Sequence, residues 1–220
     1  MFTINTRKKI GFPTKKEDWA KNPAVFDEHT LRIAGHPVME DWEKDYMEEL
    51  AKVACLNKGA VLEVGYGLGL SADAIQKRQI ASHYIIECHP DVMARCIQDQ
   101  HKMISENKLH LLGGFWQDIT PLFNDNIFDG ILFDTYPLTE EEIHSNHFWF
   151  FKEAYRLLKP DGILTYYSDE AKTYSEKHMA KLLAAGFKST NINKNICAVN
   201  PPANCEYWQD KTLLVPIIRK

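Results

Sequence analysis

Short apolar segments alternate with amphipathic segments from residue 60 to residue 186, and this alternation constrains the fold more than any other feature. The apolar segments have the length of buried strands, and the segments between them have helical periodicity. Alternation at this spacing is typical of a doubly wound α/β sheet with mostly parallel strands. Ligands of such sheets bind outside the carboxyl ends of the strands, so we expect the functional residues there.

Seven strands and four helices are predicted from residue 60 onward. The strands are residues 60–64, 83–88, 108–114, 128–134, 162–167, 187–199 and 212–220. The helices are residues 71–77, 91–100, 140–158 and 175–185. Thr139 precedes the third helix and Glu142 follows Thr139 by three residues, which is the spacing of a capping box. No helical segment separates the last two strands, so we expect the last pair to be antiparallel in a mostly parallel seven-stranded sheet.

The region before the alternation has a different pattern. Residues 1–36 are polar and interrupted by prolines and a glycine, which indicates an irregular arm. Apolar residues from Val38 to Val53 recur on or near one helical face, which predicts a helix over residues 37–53. We therefore divide the chain into an N-terminal arm and helix, residues 1–53, and a sheet domain, residues 54–220.

Composition and charge indicate which kinds of molecule the chain is expected to bind. The 220-residue chain has a formal net charge of −4, which gives no electrostatic footprint for nucleic acid. Its five cysteines are an odd number without a C-x-x-C pair, which is typical of reduced thiols in the cytoplasm. No apolar run approaches the roughly 20 residues needed to cross a bilayer. We expect a cytoplasmic monomer or homodimer, without a membrane or nucleic-acid partner and without a metal site.

The first predicted strand ends in a glycine-rich loop, Glu63-Val-Gly65-Tyr-Gly67-Leu-Gly69, that opens a helix. Glycine is needed there because the turn passes close under a ligand, where a Cβ atom would clash. Glu87 ends the next strand, where a carboxylate can accept hydrogen bonds from ribose hydroxyls. Leu70 stands where a dinucleotide fingerprint has its final glycine, which disfavours a nicotinamide cofactor and favours a nucleoside without phosphates. The E-x-G-x-G-x-G form is similar to the S-adenosylmethionine loop.

Each of these residues also has an ordinary structural interpretation. A lone glycine-rich loop can be a tight strand-to-helix turn, and a lone strand-end glutamate such as Glu87 is more often a solvated carboxylate. Trp116 follows the third predicted strand, where it could stack on adenine or pack in the core. The combination of loop, strand order and Glu87 favours the cofactor interpretation.

Asp134-Thr-Tyr-Pro-Leu138 leaves the fourth predicted strand beside the expected position of a methyl donor. Many enzymes that methylate amides or adenine carry an N-P-P-Y type motif here, and in this chain an aspartate stands first. A carboxylate pairs with a guanidinium or amine and can accept the proton that the nitrogen must lose. Glu43, in the first predicted helix, is the candidate for a second carboxylate. Asn200-Pro-Pro202 begins like an N-P-P-Y motif but lies between the last two strands, which indicates a rigid loop.

Six segments together resemble the corresponding segments of guanidinoacetate N-methyltransferases, in that family's order. They are residues 37–47 (PVMEDWEKDYM), 62–65 (LEVG), 85–88 (IIEC), 128–138 (FDGILFDTYPL), 156–160 (RLLKP) and 201–207 (PPANCEY). The resemblance spans nearly the whole chain. It implies a Rossmann-like class I methyltransferase fold, S-adenosylmethionine as the cofactor, and an N-terminal helical lid over the site.

The resemblance also implies the site residues. Glu43 and Asp134 would bind the guanidino group, with Asp134 as the proton acceptor, and Tyr207 would contact the substrate. On periodicity alone, Met39 and Met47 are more often core residues and Glu43 a solvated charge. The residues implied to hold the cofactor are Trp19, Met39, Met47, Gly65, Tyr66, Gly67, Leu68, Gly69, Leu70, Ser71, Glu87, Cys88, His89, Trp116, Gln117 and Asp134.

The turn after the fifth predicted strand departs from the family's pattern. The family holds the substrate carboxylate there with main-chain amides of a largely uncharged turn, whereas this chain reads Tyr167-Ser-Asp169-Glu170. Two carboxylates near the substrate carboxylate would repel it. If Asp169 and Glu170 contact the substrate, they would tolerate an amine-bearing guanidine, such as arginine or agmatine, better than guanidinoacetate. If both side chains point to solvent, guanidinoacetate remains the substrate.

Three functions are compatible with the sequence. The first is S-adenosylmethionine-dependent N-methylation of guanidinoacetate, giving creatine, or of a related small guanidino compound. The second is methylation of arginine in a protein or peptide, since a related family that methylates the delta nitrogen of arginine shares parts of the pattern. The third is a cofactor-binding protein without catalysis, against which the presence of both Glu43 and Asp134 argues.

Overall fold

The computed structural model describes residues 11–12 and 15–220, and its strands form two sheets. The smaller sheet is antiparallel and consists of β1 (Ala24–Phe26), β2 (Thr30–Ile33) and β3 (His36–Glu40). The larger sheet consists of β4 (Ala60–Val64), β5 (Ser82–Glu87), β6 (Leu109–Gly113), β7 (Phe128–Phe133), β8 (Leu158–Tyr166), β9 (Ile192–Ala198) and β10 (Thr212–Arg219).

The larger sheet has the strand order β6-β5-β4-β7-β8-β10-β9. β4 pairs in parallel with β5 and β7, and further parallel pairs join β5 to β6 and β7 to β8. β10 is antiparallel to both β8 and β9. The predicted doubly wound, mostly parallel seven-stranded sheet with an antiparallel end is therefore confirmed. The strand order reverses beside β4, and ligands of such sheets bind at that point.

Helices cover both faces of the larger sheet. The described helices are α1 (Lys16–Trp19), α2 (Lys44–Ala54), α3 (Leu70–Gln76), α4 (Pro90–Asp99), α5 (His101–Ser105), α6 (Trp116–Ile119), α7 (Asn146–Leu157) and α8 (Glu176–Ala184). Within residues 11–12 and 15–220, each helix is too short or too polar to span a membrane.

Apolar cores on the two faces of the larger sheet follow from the alternation of side chains along the strands. Adjacent residues of a strand point to opposite faces, so Val61 packs in one core and Leu62 in the other. Helix α2 supplies Met47 to the first core, and helix α7 supplies Phe150 to the second. Burial on both faces explains why these strands have continuous apolar sequences.

The structure corrects the prediction of an irregular arm over residues 1–36. Residues 24–40 include the three strands of the smaller sheet. A two-residue turn, Ala34-Gly35, joins β2 to β3, and both residues have positive φ angles, of 50° and 80°. Such a turn matches the twist of the flanking strands, so it supports a tight hairpin. The other parts of the predicted arm, residues 1–10 and 13–14, lie outside the described residues.

The first predicted helix also begins later than expected. Its predicted range was residues 37–53, but residues up to Glu40 belong to β3 and Asp41–Glu43 form a 3-10 turn. Helix α2 therefore begins at Lys44. The segment predicted as one helix is thus the last strand of the small sheet, a 3-10 turn and a helix.

The helix predicted over residues 140–158 begins at Asn146. His144 has a φ of 59°, which a continuous right-handed helix excludes. Thr139 provides no side-chain cap, and Glu142 accepts a hydrogen bond from the Leu138 amide at 2.8 Å. Residues before the helix are therefore free to turn toward the carboxyl edge of the sheet.

Gly130 lets helix α2 approach the centre of β7. A Cβ atom at this position would overlap the carbonyl oxygen of Ala54, which belongs to the backbone and cannot rotate away. Overpacking of a core costs about 1–3 kcal/mol. We expect Gly130→Ala to lower the melting temperature by about 5 °C or more, measured by circular dichroism.

Gly113→Ala is the matched control for this prediction. A Cβ atom there would meet only the flexible end of Met93, at 2.7 Å from its methyl carbon, so a small rotation relieves the contact. A loss of stability in Gly113→Ala equal to that in Gly130→Ala would contradict the role assigned to the Ala54 carbonyl.

Candidate active site

A cavity of about 380 Å³ lies at the carboxyl ends of strands β4 to β8. Residues of α1 and the smaller sheet line its other side, and we call these elements, residues 16–40, the cover. A volume in this range suits a small ligand. The predicted site residues that line the cavity are Trp19, Met39, Glu43, Gly65, Gly67, Glu87, Cys88, His89, Trp116, Gln117, Asp134, Asp169 and Tyr207.

The glycine-rich loop passes under the cavity in a conformation that favours glycine. Gly65 has a φ of 92°, and a Cβ atom on it would overlap the carbonyl oxygen of Asp134. Gly67 has a φ of 56°, and a Cβ atom on it would lie 2.7 Å from the sulfur of Met39. The amide of Leu68 donates to that sulfur at 3.3 Å. Met39 therefore joins the cover to the loop.

Glu87 is held at the end of β5 by two main-chain amides. Tyr66 N donates to Oε2 at 2.9 Å and His89 N donates to Oε1 at 2.8 Å. Burial raises the pKa of Glu87, and the amide hydrogen bonds oppose that rise. Each carboxylate oxygen has a second lone pair, so the group can still accept hydrogen bonds from a ligand in the cavity.

Trp116 packs in the core and also borders the cavity, while its stacking on adenine stays a prediction. It lines the cavity at the end of β6 and also packs edge-on against Phe150, with ring centroids 5.2 Å apart. A second edge contact is made with Phe133, at 6.1 Å. The core contacts fix the indole so that the rest of it borders the ligand space.

Seven predicted contacts lie outside the lining of the cavity. They are Met47, Tyr66, Leu68, Gly69, Leu70, Ser71 and Glu170. Met47 is fully buried in the core, and the Ser71 hydroxyl donates to the carboxylate of Glu63. The Tyr66 hydroxyl donates to Asp99 at 3.2 Å. Their assignment as ligand contacts stays a prediction.

Glu43 lies at the end of the 3-10 turn before α2, with only 2% of its surface exposed. Its Oε1 accepts hydrogen bonds from the Glu40 amide, at 2.9 Å, and from the Tyr207 hydroxyl. Burial, together with the charge of Asp134, raises the pKa of Glu43 to about 8. The carboxyl group is therefore fixed in place, and it forms no ion pair with the residues that the structure describes.

Asp134 follows directly after β7, and its amide donates to Val64 O at 2.9 Å. Burial raises the pKa of Asp134 to about 7, and the carboxylates of Glu63 and Asp169 contribute to the rise. An enclosed carboxylate with a pKa near neutrality is suited to accept a proton. Glu43 and Asp134 together can bind one cationic group between them.

The cover is attached to the sheet through aromatic and polar contacts. Trp19 is stacked on Tyr136, with ring centroids 5.3 Å apart and planes 8° apart. His36 Nδ1 is 3.1 Å from the hydroxyl oxygen of Tyr136. His89 reaches the cover through its Nε2, which lies 2.7 Å from Asn22 O. These contacts hold the cover above the loops that follow β5 and β7.

The loop after β8 places Asp169 in the cavity and Glu170 outside its lining. Asp169 Oδ1 lies 2.9 Å from His144 Nδ1. Glu170 Oε1 accepts a hydrogen bond from the Ser175 amide at 3.0 Å, at the start of α8. The two adjacent carboxylates, which the sequence could not separate, thus have different environments.

Sequence reasoning missed several residues that line the cavity. Tyr136 lies in the loop after β7 and Tyr167 directly follows β8, so their place near strand ends was a signal that could have found them. Asn146 and His147 line the cavity from the start of α7, where the predicted longer helix concealed them. Leu31, Ile33 and Val38 belong to the cover, which was not predicted as a sheet.

Carboxyl groups line the cavity, and Glu43, with its pKa raised to about 8, is largely protonated near pH 7 until a cation binds beside it. The described lining residues of the cavity include the carboxylates of Glu43, Glu87, Asp134, Glu142 and Asp169, and none of them is a lysine or arginine. Like charges enclosed together raise one another's pKa and attract cations. The arrangement therefore suits a positively charged ligand that is bound next to a nucleoside.

Comparison with known proteins gives a family match over nearly the whole chain. Residues 12–220 match the model of the family described as guanidinoacetate N-methyltransferase. Protein arginine N-methyltransferase 2 of Yarrowia lipolytica is 33% identical over 139 residues, which cover 60% of this chain and 28% of that protein. The chain thus aligns with about a third of the length of the curated relatives it matches.

Solved structures share the fold. Spermidine synthase from Thermotoga maritima superposes with a TM-score of 0.58 at 15% identity, covering 90% of this chain and 72% of that chain. M. jannaschii TYW2, solved in complex with AdoMet, superposes with a TM-score of 0.55 at 13% identity, covering 90% of this chain and 84% of that chain. At these identities the likeness concerns the fold alone.

The raised pKa of Asp134 predicts a pH-dependent cost of stability. Ionisation of this carboxyl is harder in the folded chain, so its contribution to the free energy of unfolding falls as pH rises from the unfolded pKa toward about 7. Asp134→Asn removes the ionisation and keeps the shape. At each pH we subtract the melting temperature of the wild type from that of the variant. We expect this difference to increase by about 5 °C or more from about pH 5 to pH 8.

Asp125→Asn serves as the control, because the Asp125 side chain is 64% accessible and its ion pair with Arg156 lies at the surface, where such pairs contribute little. The difference in melting temperature between Asp125→Asn and the wild type should change little over the same pH range. An equally flat difference for Asp134→Asn would show that the Asp134 carboxyl ionises in the folded chain as easily as in water.

Proposed function

The chain belongs to the guanidinoacetate N-methyltransferase family, and from this membership we propose that it transfers a methyl group from S-adenosylmethionine to a guanidino nitrogen. The observation that carries the proposal is the pair of enclosed carboxylates, Glu43 and Asp134, in a cavity without lysine or arginine among its described lining residues. A guanidinium is the cation that pairs best with carboxylates through a planar set of N–H donors.

The cofactor is S-adenosylmethionine, which supplies an electrophilic methyl group when it is bound. The end of β4 fits it because Gly65 and Gly67 border the cavity without side chains. Glu87 fits the ribose, since its carboxylate is oriented by two amides and retains lone pairs for hydroxyl donors. Cys88, His89, Trp116 and Gln117 would hold the nucleoside from the sheet side, and Trp19 and Met39 from the cover.

Asp134 and Glu43 have distinct tasks in this proposal. Asp134 binds the guanidino group beside the methyl donor and takes the proton that the nitrogen loses as it forms its bond to the methyl carbon. Its raised pKa makes it a stronger base than an ordinary aspartate. Glu43 is fixed by Tyr207 and the Glu40 amide, so it orients the guanidino group and spreads its charge.

Guanidinoacetate, whose methylation gives creatine, is the substrate that the family description suggests, and a related small guanidino compound is equally compatible with the two carboxylates. The five cysteines are free thiols, which suits the expected cytoplasmic location. A chain of this kind would then serve creatine biosynthesis or the methylation of another small guanidine.

Arginine in a protein or peptide is a second candidate substrate. The observation that favours it is the 33% identity to a protein arginine N-methyltransferase 2, which exceeds the identity to the solved structures. The exposed side chain of Trp149 also borders the cavity, so a bulky substrate would meet an apolar surface at the entrance.

Methyl transfer from S-adenosylmethionine should be measured with guanidinoacetate, arginine, agmatine and a peptide that contains arginine. We expect at least one free guanidino compound to be methylated at a rate that saturates with concentration. Methylation of the peptide alone would favour the second candidate. Binding of S-adenosylmethionine with no turnover on any guanidine would indicate a cofactor-binding protein without catalysis.

Asp134→Asn should reduce kcat by about 100-fold or more, since the variant cannot accept the proton. S-adenosylmethionine binding, measured by calorimetry, should change by less than about threefold, because Glu87 and the glycine-rich loop remain. Asp125→Asn is again the control and should keep wild-type turnover. Near-normal turnover by Asp134→Asn would remove Asp134 from the mechanism.

A further inference from the structure

Asn146 is the first residue of α7 and lines the cavity. An asparagine at the start of a helix often caps the helix by accepting hydrogen bonds from its amides. In this protein the side-chain oxygen of Asn146, Oδ1, accepts no hydrogen bond from the residues that the structure describes. Helix capping therefore does not account for the side chain, and its contacts point to another role.

The amide nitrogen of Asn146 is bonded to Thr135. Nδ2 donates to the main-chain oxygen of Thr135 and, at 3.2 Å, to its hydroxyl oxygen. An amide nitrogen carries two hydrogens, so these bonds use both. Because a carbonyl oxygen can only accept, the nitrogen must face Thr135 and Oδ1 must point away from it. The orientation of the side-chain amide is therefore determined by its contacts.

Oδ1 is the polar atom of Asn146 that remains for a ligand. It does not belong to the unpartnered polar atoms of the described residues that are closed off from water. Thr135 directly follows Asp134 in the chain, and consecutive Cα atoms are about 3.8 Å apart. The amide is thus attached to the residue next to the proposed proton acceptor, at the place where the guanidino group would bind.

The two carboxylates cannot accept all the donors of a guanidino group. A substituted guanidinium carries five N–H groups, of which Asp134 takes two in a bidentate pair. Oε1 of Glu43 already accepts from the Glu40 amide and the Tyr207 hydroxyl, which use its two lone pairs. Oε2 of Glu43 takes at most two further N–H groups. At least one N–H group therefore needs another acceptor.

A neutral acceptor suits this position better than another carboxylate. A further negative charge beside Asp134 would raise its pKa above about 7 and keep it protonated. An amide oxygen accepts an N–H group without adding charge, so Asp134 remains able to take a proton. An N–H group left without an acceptor in the enclosed site would weaken binding of the guanidine.

We propose that Asn146 is a substrate-binding residue whose Oδ1 accepts an N–H group of the guanidino substrate. The inference rests on the proposed function, because it takes the guanidino group to lie between Glu43 and Asp134. The amide completes the set of acceptors and restricts rotation of the guanidino plane beside the methyl donor.

Asn146→Leu tests the inference because it removes Oδ1 and Nδ2 and approximately keeps the size of the side chain. The substrate is whichever of guanidinoacetate, arginine and agmatine the wild type methylates with the highest kcat/KM. We expect kcat/KM to fall by about tenfold or more, since a hydrogen bond to a charged group is lost. Binding of S-adenosylmethionine, measured by calorimetry, should change by less than about threefold. Asn195→Leu, the same exchange at an exposed residue of β9, should keep the wild-type values.

The pH profile of kcat/KM separates a contact with the substrate from an effect on the position of Asp134. The leucine variant gains and loses no charge, so the pH at which kcat/KM reaches half its maximum should move by less than about half a unit. A larger shift would show that Asn146 acts by positioning Asp134 and would overturn the contact with the substrate.

The remaining outcomes separate this inference from the proposed function. An unchanged kcat/KM in Asn146→Leu, or a loss confined to the binding of S-adenosylmethionine, would overturn the inference and leave guanidino methylation standing. Failure of the wild type to methylate any of the three compounds would overturn both. Circular dichroism checks that each variant folds. Asn146→Ala also removes both polar atoms and suits a helix, so it gives the same test if the leucine variant does not fold.

Discussion

Main-chain hydrogen bonds along the carboxyl edge of the sheet determine where the polar groups of the cavity lie. The first residue after each of three strands is bonded to the end of a neighbouring strand. The amide of Gly65 donates to Ile86 O, that of Asp134 to Val64 O, and that of Tyr167 to Phe133 O, at 2.9, 2.9 and 3.1 Å. These bonds continue the parallel ladders by one residue, so each loop leaves the sheet at a fixed place. The carboxylates of the site are therefore brought together by strand pairing.

Much of the fold follows from local sequence patterns. The apolar strands and the missing helix before β10 were sufficient to predict a mostly parallel sheet with an antiparallel end. The small sheet of the cover was missed because β1 to β3 pair over short distances and depend on the turn at Ala34-Gly35, where alanine adopts a φ of 50°. Alanine is an uncommon residue in that conformation, so the sequence carried little signal for a hairpin. The positive φ of His144, which delays the start of α7, was equally hidden.

The candidate site was predictable where a residue ends a strand. Glu87 and Asp134 needed only the strand assignment, whereas Glu43 and Tyr207 entered through the resemblance and are found bonded to one another. The separation of Asp169 from Glu170 could not be predicted, because it depends on which carboxylate the start of α8 engages. His147 gave no sequence signal, since an imidazole on an apolar helix usually has a partner in the core.

The stacking of Trp19 on Tyr136 joins the cover to the loop that begins with Asp134. The indole is 2% exposed in this arrangement. Any displacement of the cover that admits or releases a ligand must separate the two rings and bring the indole into contact with water. Indole emission shifts to longer wavelength in water, so a variant that keeps Trp19 and replaces the other four tryptophans would report cavity opening. Stopped-flow fluorescence could then resolve the opening and closing steps of a catalytic cycle in the unlabelled protein.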